Sequence, residues 1–221
     1  MFKKKPFFIV FEGVEGCGKS FQSKKLLNNL KKKKLQTILT REPGGTKSAE
    51  LIRDLILKDY FNKDNKEKFD KYTDTLLYLA ARNEHIKNKI VPALKKKQIV
   101  ICDRFTDSTL AYQFYGKQVN LSFINNIHKY ILNGLKPNIT FVLKVTADAS
   151  RKRLKLRKNK NRYDNFAQSF YTRAQKSFLK IAKGKRNYFI LNSSVNDNSL
   201  EKEILKIVCK YLKKNDTSSI F

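Results

Sequence analysis

Five short apolar runs recur along the chain, at residues 7–11, 37–39, 99–102, 139–145 and 188–191. They are β-branched or aromatic and too short for helices, which is the pattern of strands buried on both faces. Between them, apolar positions recur every three or four residues over 21–34, 49–58, 73–96, 123–133, 147–157, 166–183 and 200–212, as one face of a helix requires. Strands alternating with helices predict an α/β fold: a five-stranded parallel sheet with helices on both faces. No repeat, proline-rich linker or break in composition divides the 221 residues, so one domain over 1–221 is expected. Two stretches break the rhythm. Residues 62–71 are polar and charged, a surface loop, whereas 151–165 start on a helix, lose the apolar face and become dense in Lys and Arg, a short basic lid. The tail, 213–221, is given no element.

No apolar stretch approaches the ~20 residues of a bilayer span, and residues 1–6 lack the apolar segment of a secretion signal, so a cytoplasmic protein is expected. Cys17, Cys102 and Cys209 show no CxxC spacing, and neither disulfides nor a cysteine metal site is indicated. His85 and His128 read as satisfied or exposed helix histidines, each away from a second candidate ligand. The formal charge of +29 raises the reading of a basic nucleic-acid-binding protein. Most of that charge is Lys spread over the whole length, in a sequence also rich in Asn, Ile, Phe and Tyr, which biased codon usage explains without a polyanion partner. A positive field would still favour the approach of anionic nucleotides.

Directly after the first strand comes GVEGCGKS, from Gly13 through Val14, Glu15, Gly16, Cys17, Gly18 and Lys19 to Ser20, with a helical pattern following. The glycines let the backbone wrap phosphate oxygens, and the amides that open the helix donate to them. Lys19 can reach the β- and γ-phosphates, and the Ser20 hydroxyl is placed for Mg2+. Strand before and helix after make this a P-loop NTPase-type phosphate site. Motors, GTPases and kinases share that loop. There is no NKxD, and the length leaves no room for the added apparatus of most motors, so a small-molecule kinase remains.

Asp103 and Arg104 follow the third strand at its carboxyl edge, where open α/β sheets bind ligands. The carboxylate can hold Mg2+ or its waters, and the guanidinium can clamp an acceptor phosphate. Tyr78 and Arg82, four apart, share a helix face; a ring and a forked donor suit a pyrimidine, with core packing of Tyr78 as the competing reading. EPGG at 42–45 is a rigid turn that either shapes a nucleotide pocket or only joins strand to helix.

After the P-loop, TREPGGT at 40–46, LLYLAAR at 76–82 and DRFTDSTLAYQ at 103–113 follow in order, continued by NRYD at 161–164 and Arg173. In this set the chain resembles thymidylate kinases of the bacterial type over residues 6–192. The resemblance implies phosphoryl transfer from ATP to dTMP, giving dTDP and ADP in dTTP biosynthesis, with Mg2+ accompanying ATP. It implies a homodimer, to whose interface the helix over 73–96 can contribute. It implies that Pro43 borders dTMP, that Arg53 is a candidate for its phosphate, that Tyr78 stacks on thymine where the family usually has Phe, and that Arg82 reads the carbonyl edge. Ser108 and Gln113 then lie near the base, Tyr112 near the sugar, and Glu15 takes the 3′-hydroxyl. The family's catalytic arginine sits in the P-loop or in the lid. Positions 14–17 hold none, so the lid supplies it from Arg153, Arg157 or Arg162, of which Arg162 fits the lid pattern of Arg, an aromatic or aliphatic residue, then an acid. The catalytic set is therefore Lys19, Asp103, Arg104 and Arg162, and a kinase for dUMP or a purine monophosphate is the nearest alternative.

Overall fold

The computed structural model describes residues 5–58, 68–156, 168–195 and 198–213. Strands β1 (Phe7–Glu12), β2 (Thr37–Arg41), β3 (Ile99–Asp103), β4 (Ile139–Lys144) and β5 (Tyr188–Asn192) form one sheet in the order β2-β3-β1-β4-β5, every pair parallel. Helices α1 (Lys19–Lys32), α2 (Lys47–Leu57), α3 (Lys71–His85), α4 (Val91–Lys95), α5 (Thr106–Thr109), α6 (Tyr115–Lys117), α7 (Leu121–Leu132), α8 (Ala147–Lys155), α9 (Gln168–Ala182) and α10 (Ser199–Lys213) alternate with them. The five strands and their parallel order bear out the sequence reading.

β1 is buried along its length because its two side-chain parities serve two cores. Phe7, Ile9 and Phe11 pack with Ile99, Ile101, Leu26 and Leu30, and with Phe178 of α9 and Val208 of α10. Phe8 and Val10 pack with Val100, Cys102, Ile86, Ile90 and Leu94 on the other side. A strand covered on both faces must be apolar at every position, hence the unbroken run. The order also fixes where a ligand goes. From β1 the chain moves to one side and later to the other, which leaves a crevice at the carboxyl end of β1.

The helix expected over 73–96 is divided. Asp70 caps it, accepting from Tyr72 N at 2.7 Å, and α3 then passes through a wide turn, Ile86–Ile90, into α4. Pro92 explains the division: a proline inside a helix has no N–H to give, and its ring meets the carbonyl four residues back, which a wider turn relieves. Residues 106–117, to which the sequence pattern assigned no element, are α5, a second wide turn at Leu110–Phe114, and α6. A wide turn shifts the apolar period away from 3.6, so no regular stripe announces it. Of the charged loop over 62–71, residues 62–67 lie outside the described residues; of the basic stretch over 151–165, so do 157–165.

Candidate active site

The carboxyl ends of the central strands open on a cleft of about 740 Å³. Its walls carry Glu15, Gly16, Gly18, Lys19 and Ser20 of the loop after β1, Pro43 and Arg53 on one side, and Tyr78 and Arg82 of α3. Asp103, Arg104, Ser108, Tyr112 and Gln113 from the segment after β3 complete it, with Arg153 of α8. Residues far apart in sequence are thus brought together around one cleft. Gly13 underlies the cleft, and Val14 and Cys17 are buried beneath it.

The loop over 13–20 is built for an anion. At Gly13, with φ 138°, an added Cβ would lie 2.7 Å from Leu143 O, so glycine is required there. At Gly16, with φ 71°, it would lie 2.8 Å from Ser150 O. No side chain caps the start of α1, and its first turn holds no acid. The opening amides of that helix therefore keep their positive end for a ligand. Lys19 Nζ donates to Gly13 O at 2.9 Å and Val14 O at 2.8 Å. Ser20 Oγ donates to Asp103 Oδ2 at 2.5 Å across the cleft mouth. A hydroxyl beside a carboxylate is a hard-oxygen donor pair suited to Mg2+. No cluster of three or more His, Cys, Asp or Glu side chains fit for a metal occurs among the described residues.

On the opposite wall, Arg104 adopts φ 74°, unusual for a side chain with a Cβ, and turns its guanidinium back into the cleft. It donates to Glu15 Oε1 at 2.7 Å, Gly13 O at 3.0 Å and Ser108 Oγ at 3.1 Å, and lies 5.3 Å from the Tyr112 ring centroid. Tyr112 OH donates to the other Glu15 oxygen at 2.7 Å. Burial alone would favour a neutral Arg104, but Tyr112, Glu15, Asp103 and Glu12 outweigh it and keep the guanidinium firmly charged. Burial likewise pushes the Tyr112 phenol well up. Gln113 Nε2 is buried with no hydrogen-bond partner among the described residues, a donor left over for a ligand.

Beneath this wall lies a buried charge network. Glu42 Oε2 accepts from Arg82 Nε at 2.7 Å and Oε1 from His85 Nδ1 at 3.0 Å. Burial opposes a charge on Glu42, yet Arg82 and His85 together hold its carboxyl below the usual range. With that carboxylate only accepting, His85 Nδ1 is the donor of this pair, and His85 Nε2 lies 2.6 Å from Thr40 Oγ1. Arg82 also donates to Thr109 Oγ1 at 2.8 Å, Phe105 O at 2.8 Å and His128 Nε2 at 2.7 Å. Burial first, then the Arg82 charge, lowers the His128 pKa to about 3, so the ring is neutral and accepts. Both histidines are thus satisfied helix residues. Arg53 Nη1 donates to Pro43 O at 2.6 Å, fixing the turn that borders the cleft.

Glu12 was not marked by sequence reasoning. It is fully buried at the end of β1, where Oε1 accepts from Phe105 N at 2.8 Å and Ser108 N at 3.2 Å, and Oε2 from Ser108 Oγ at 2.6 Å. Burial and then the nearby Asp107 raise its pKa to about 7. The available signal was an acid inside a buried apolar strand. Of the three lid arginines, Arg153 packs on the phosphate loop, donating to Gly16 O at 3.2 Å and Ser193 O at 2.7 Å. Arg157 and Arg162 lie outside the described residues.

Comparison with known proteins points the same way. The family model described as Thymidylate kinase matches residues 11–204. A thymidylate kinase of Wolbachia pipientis subsp. Culex pipiens is 39% identical over 208 residues, covering 92% of this chain and 96% of that protein. One from Bacillus pumilus is 33% identical, covering 94% and 97%. The crystal structure of thymidylate kinase from Ehrlichia chaffeensis superposes with a TM-score of 0.72 at 31% identity, over 92% of this chain and 99% of that one.

Proposed function

The chain belongs to the thymidylate kinase family, and from that premise we propose how its cleft divides the work between the two nucleotides. The reaction is transfer of the γ-phosphoryl group of ATP to dTMP, giving dTDP and ADP, a step of nucleotide biosynthesis. One observation carries the division: the amide cradle over 13–20 and the charged Arg104 face the same cleft, bridged by Glu15.

In this reading the ATP phosphates lie on the loop from Gly13 to Ser20. Lys19 exchanges its bonds with Gly13 O and Val14 O for the β- and γ-oxygens. Ser20 and Asp103 would hold Mg2+, which supplies charge neutralisation across the triphosphate. The dTMP phosphate meets Arg104, with Arg53 beside the Pro43 turn as the second cation. Tyr78 stacks on the base, Arg82 and Gln113 donate to its carbonyl edges, Ser108 lies at its rim, Tyr112 supports the sugar, and Glu15 receives the 3′-hydroxyl.

An oxygen of the acceptor phosphate then attacks the γ-phosphorus in line, and the bond to the β,γ-bridging oxygen breaks as ADP leaves. The acceptor is already anionic near neutral pH, so no general base is required. Positioning and charge stabilisation suffice. A lid arginine completes the charge balance, and Arg162 is the candidate ahead of Arg153 and Arg157. Water exclusion by that segment would protect ATP from hydrolysis.

We treat 1–221 as one nucleoside-monophosphate kinase domain acting in the cytoplasm as a homodimer. No helix among the described residues is long and apolar enough to cross a membrane. Leu51 and Leu55 of α2 and Leu76 of α3, all exposed, support a subunit interface on that side. Light scattering coupled to size exclusion tests the dimer. ADP release measured with dTMP, dUMP, dCMP, AMP and GMP, with and without Mg2+, tests the function: dTMP should be strongly preferred and the metal required. Equal turnover of a purine monophosphate would overturn the acceptor assignment.

A further inference from the structure

From the geometry around Glu12 we infer that this residue, which touches neither nucleotide in the reading above, is a positioning residue for the acceptor. It fixes the segment carrying Arg104 and Ser108, and it sets which way the Ser108 hydroxyl points. The inference rests on the acceptor-side reading of the cleft.

The carboxylate is fully buried, and it accepts three hydrogen bonds from one short segment: from the amides of Phe105 and Ser108 and from the Ser108 hydroxyl. That segment starts at Arg104, whose φ of 74° is a conformation that a residue with a Cβ holds only when its surroundings impose it. Two backbone amides tied to one oxygen of a rigid central strand are such an imposition. A second tie, Arg104 N donating to Phe11 O at 2.8 Å, comes from the same strand. β1 therefore holds both walls of the cleft, the phosphate loop that follows it and, through Glu12, the turn across from that loop.

Proton direction follows from valence. Above its value of about 7 the Glu12 carboxylate is ionised and only accepts, so the single Ser108 proton then points to Glu12 Oε2. Arg104 Nη1 only donates, so Ser108 Oγ accepts from it. The hydroxyl is left with one lone pair for the cleft and no proton, and the chain Arg104 to Ser108 to Glu12 runs one way. Glutamine at position 12 would reverse it. Its Oε1 would take the two amides, and its Nε2 would donate to Ser108 Oγ. The Ser108 proton, facing a donor on either side, would then turn into the cleft.

Steady-state kinetics at pH 8, above the Glu12 value of about 7, decide the matter for the wild type, Glu12→Gln, Ser108→Ala, the double variant and Arg104→Met. We expect Glu12→Gln to fold with a wild-type-like melting temperature and to raise the KM for dTMP about 10-fold while the KM for ATP is unchanged. Ser108→Ala should shift the dTMP KM in the same sense, and the double variant should be no worse than the worse single one, because both act through one hydroxyl. A Glu12→Gln enzyme with wild-type dTMP KM, equal shifts in both substrates' KM, or additive losses would overturn the inference. Should Glu12→Gln not fold, Glu12→Asp, which keeps the charge but draws it back, carries the same expectation and the same refutations. Arg104→Met separates the two levels: if it leaves the dTMP KM untouched, the acceptor-side reading itself fails, whereas a raised KM there with unaffected Glu12 variants sinks this inference alone.

Discussion

The two halves of the cleft are made of different material. On the side proposed for the ATP phosphates the groups offered to the cleft are mainly backbone amides at the start of α1, with no side-chain cap, and Lys19 rests on its own loop's carbonyls. On the acceptor side nearly every polar side chain is already bonded to another. Arg82 is held by Glu42, Thr109, His128 and Phe105 O, and Arg104 by Glu15, Ser108 and Gly13 O. A triphosphate offers the same anionic oxygens whatever the base, so a cradle of main-chain donors can hold it without reading its identity. A pyrimidine monophosphate must be told from its relatives, which requires donors and acceptors fixed before it arrives. The phosphate side should therefore respond to mutation in turnover, the acceptor side in stability and dTMP affinity.

The strongest test of that contrast is Lys19→Ala. Removing the one side-chain cation of the loop should lower kcat on the order of 10⁴-fold, with the melting temperature and the dTMP KM nearly unchanged, because its present bonds are to carbonyls that water can satisfy. A comparable loss of fold would contradict it. Arg162→Ala follows, with kcat lowered on the order of 10³-fold and dTMP KM preserved. Wild-type turnover there would remove Arg162 from the mechanism and direct attention to Arg153 and Arg157.

Arg82→Ala probes the other half. It strands the carboxylate of Glu42, side chain 4% exposed, without its main counter-charge. Orphaning one member of a buried pair costs about 3 kcal/mol or more. The melting temperature should fall by roughly 6–12 °C for a chain of this size, measured by calorimetry. A shift within about 1 °C would mean that the network is not what sets this wall.

His128→Gln is gentler and depends on pH. The folded-state value is about 3 against an ordinary 6.5, so between those values the unfolded chain binds a proton that the folded one refuses. Stability from this group is complete above 6.5 and is lost as pH falls towards 3, about 2 kcal/mol by pH 5. Glu12 acts in the opposite sense, since its raised value penalises folding as pH rises from 4.5 to about 7. Only the difference between proteins isolates His128. Glutamine can still accept from Arg82 but does not titrate, so the drop in melting temperature between pH 7 and pH 5 should be smaller than in the wild type by roughly 4–8 °C. An identical drop would show that His128 is not a buried neutral acceptor.

The same contrast explains what the sequence made legible. Gly13, Gly16, Lys19 and Ser20 announce themselves because backbone wrapping needs glycine at fixed spacing, a local requirement. The three central strands announced themselves because burial on both faces leaves almost no room for polar residues at either parity. The acceptor-side network is made between residues tens of positions apart, such as Glu42 with Arg82 and His85, or Arg82 with His128. Nothing local distinguishes those charges from a solvated helix face in so basic a chain. The wide turns at 86–90 and 110–114 escaped for a related reason: neither follows a period that the chain repeats, and the first is tied to Pro92.

Tyr78 is where the two readings of a residue still compete, and its variants should give the smallest effect. The ring is half-buried, packs on the main core and also lines the cleft. As a core residue it would be replaceable by leucine at some cost in stability and none in dTMP affinity. As a stacking platform, its loss removes an aromatic contact of about 1 kcal/mol. The dTMP KM of Tyr78→Leu should then rise about 5-fold while that of ATP stays put, and Tyr78→Phe, which keeps the ring, should bind dTMP as the wild type does. A lowered melting temperature with unchanged KM in the leucine variant would return Tyr78 to the core. It would also leave base recognition on the acceptor wall to hydrogen bonds alone.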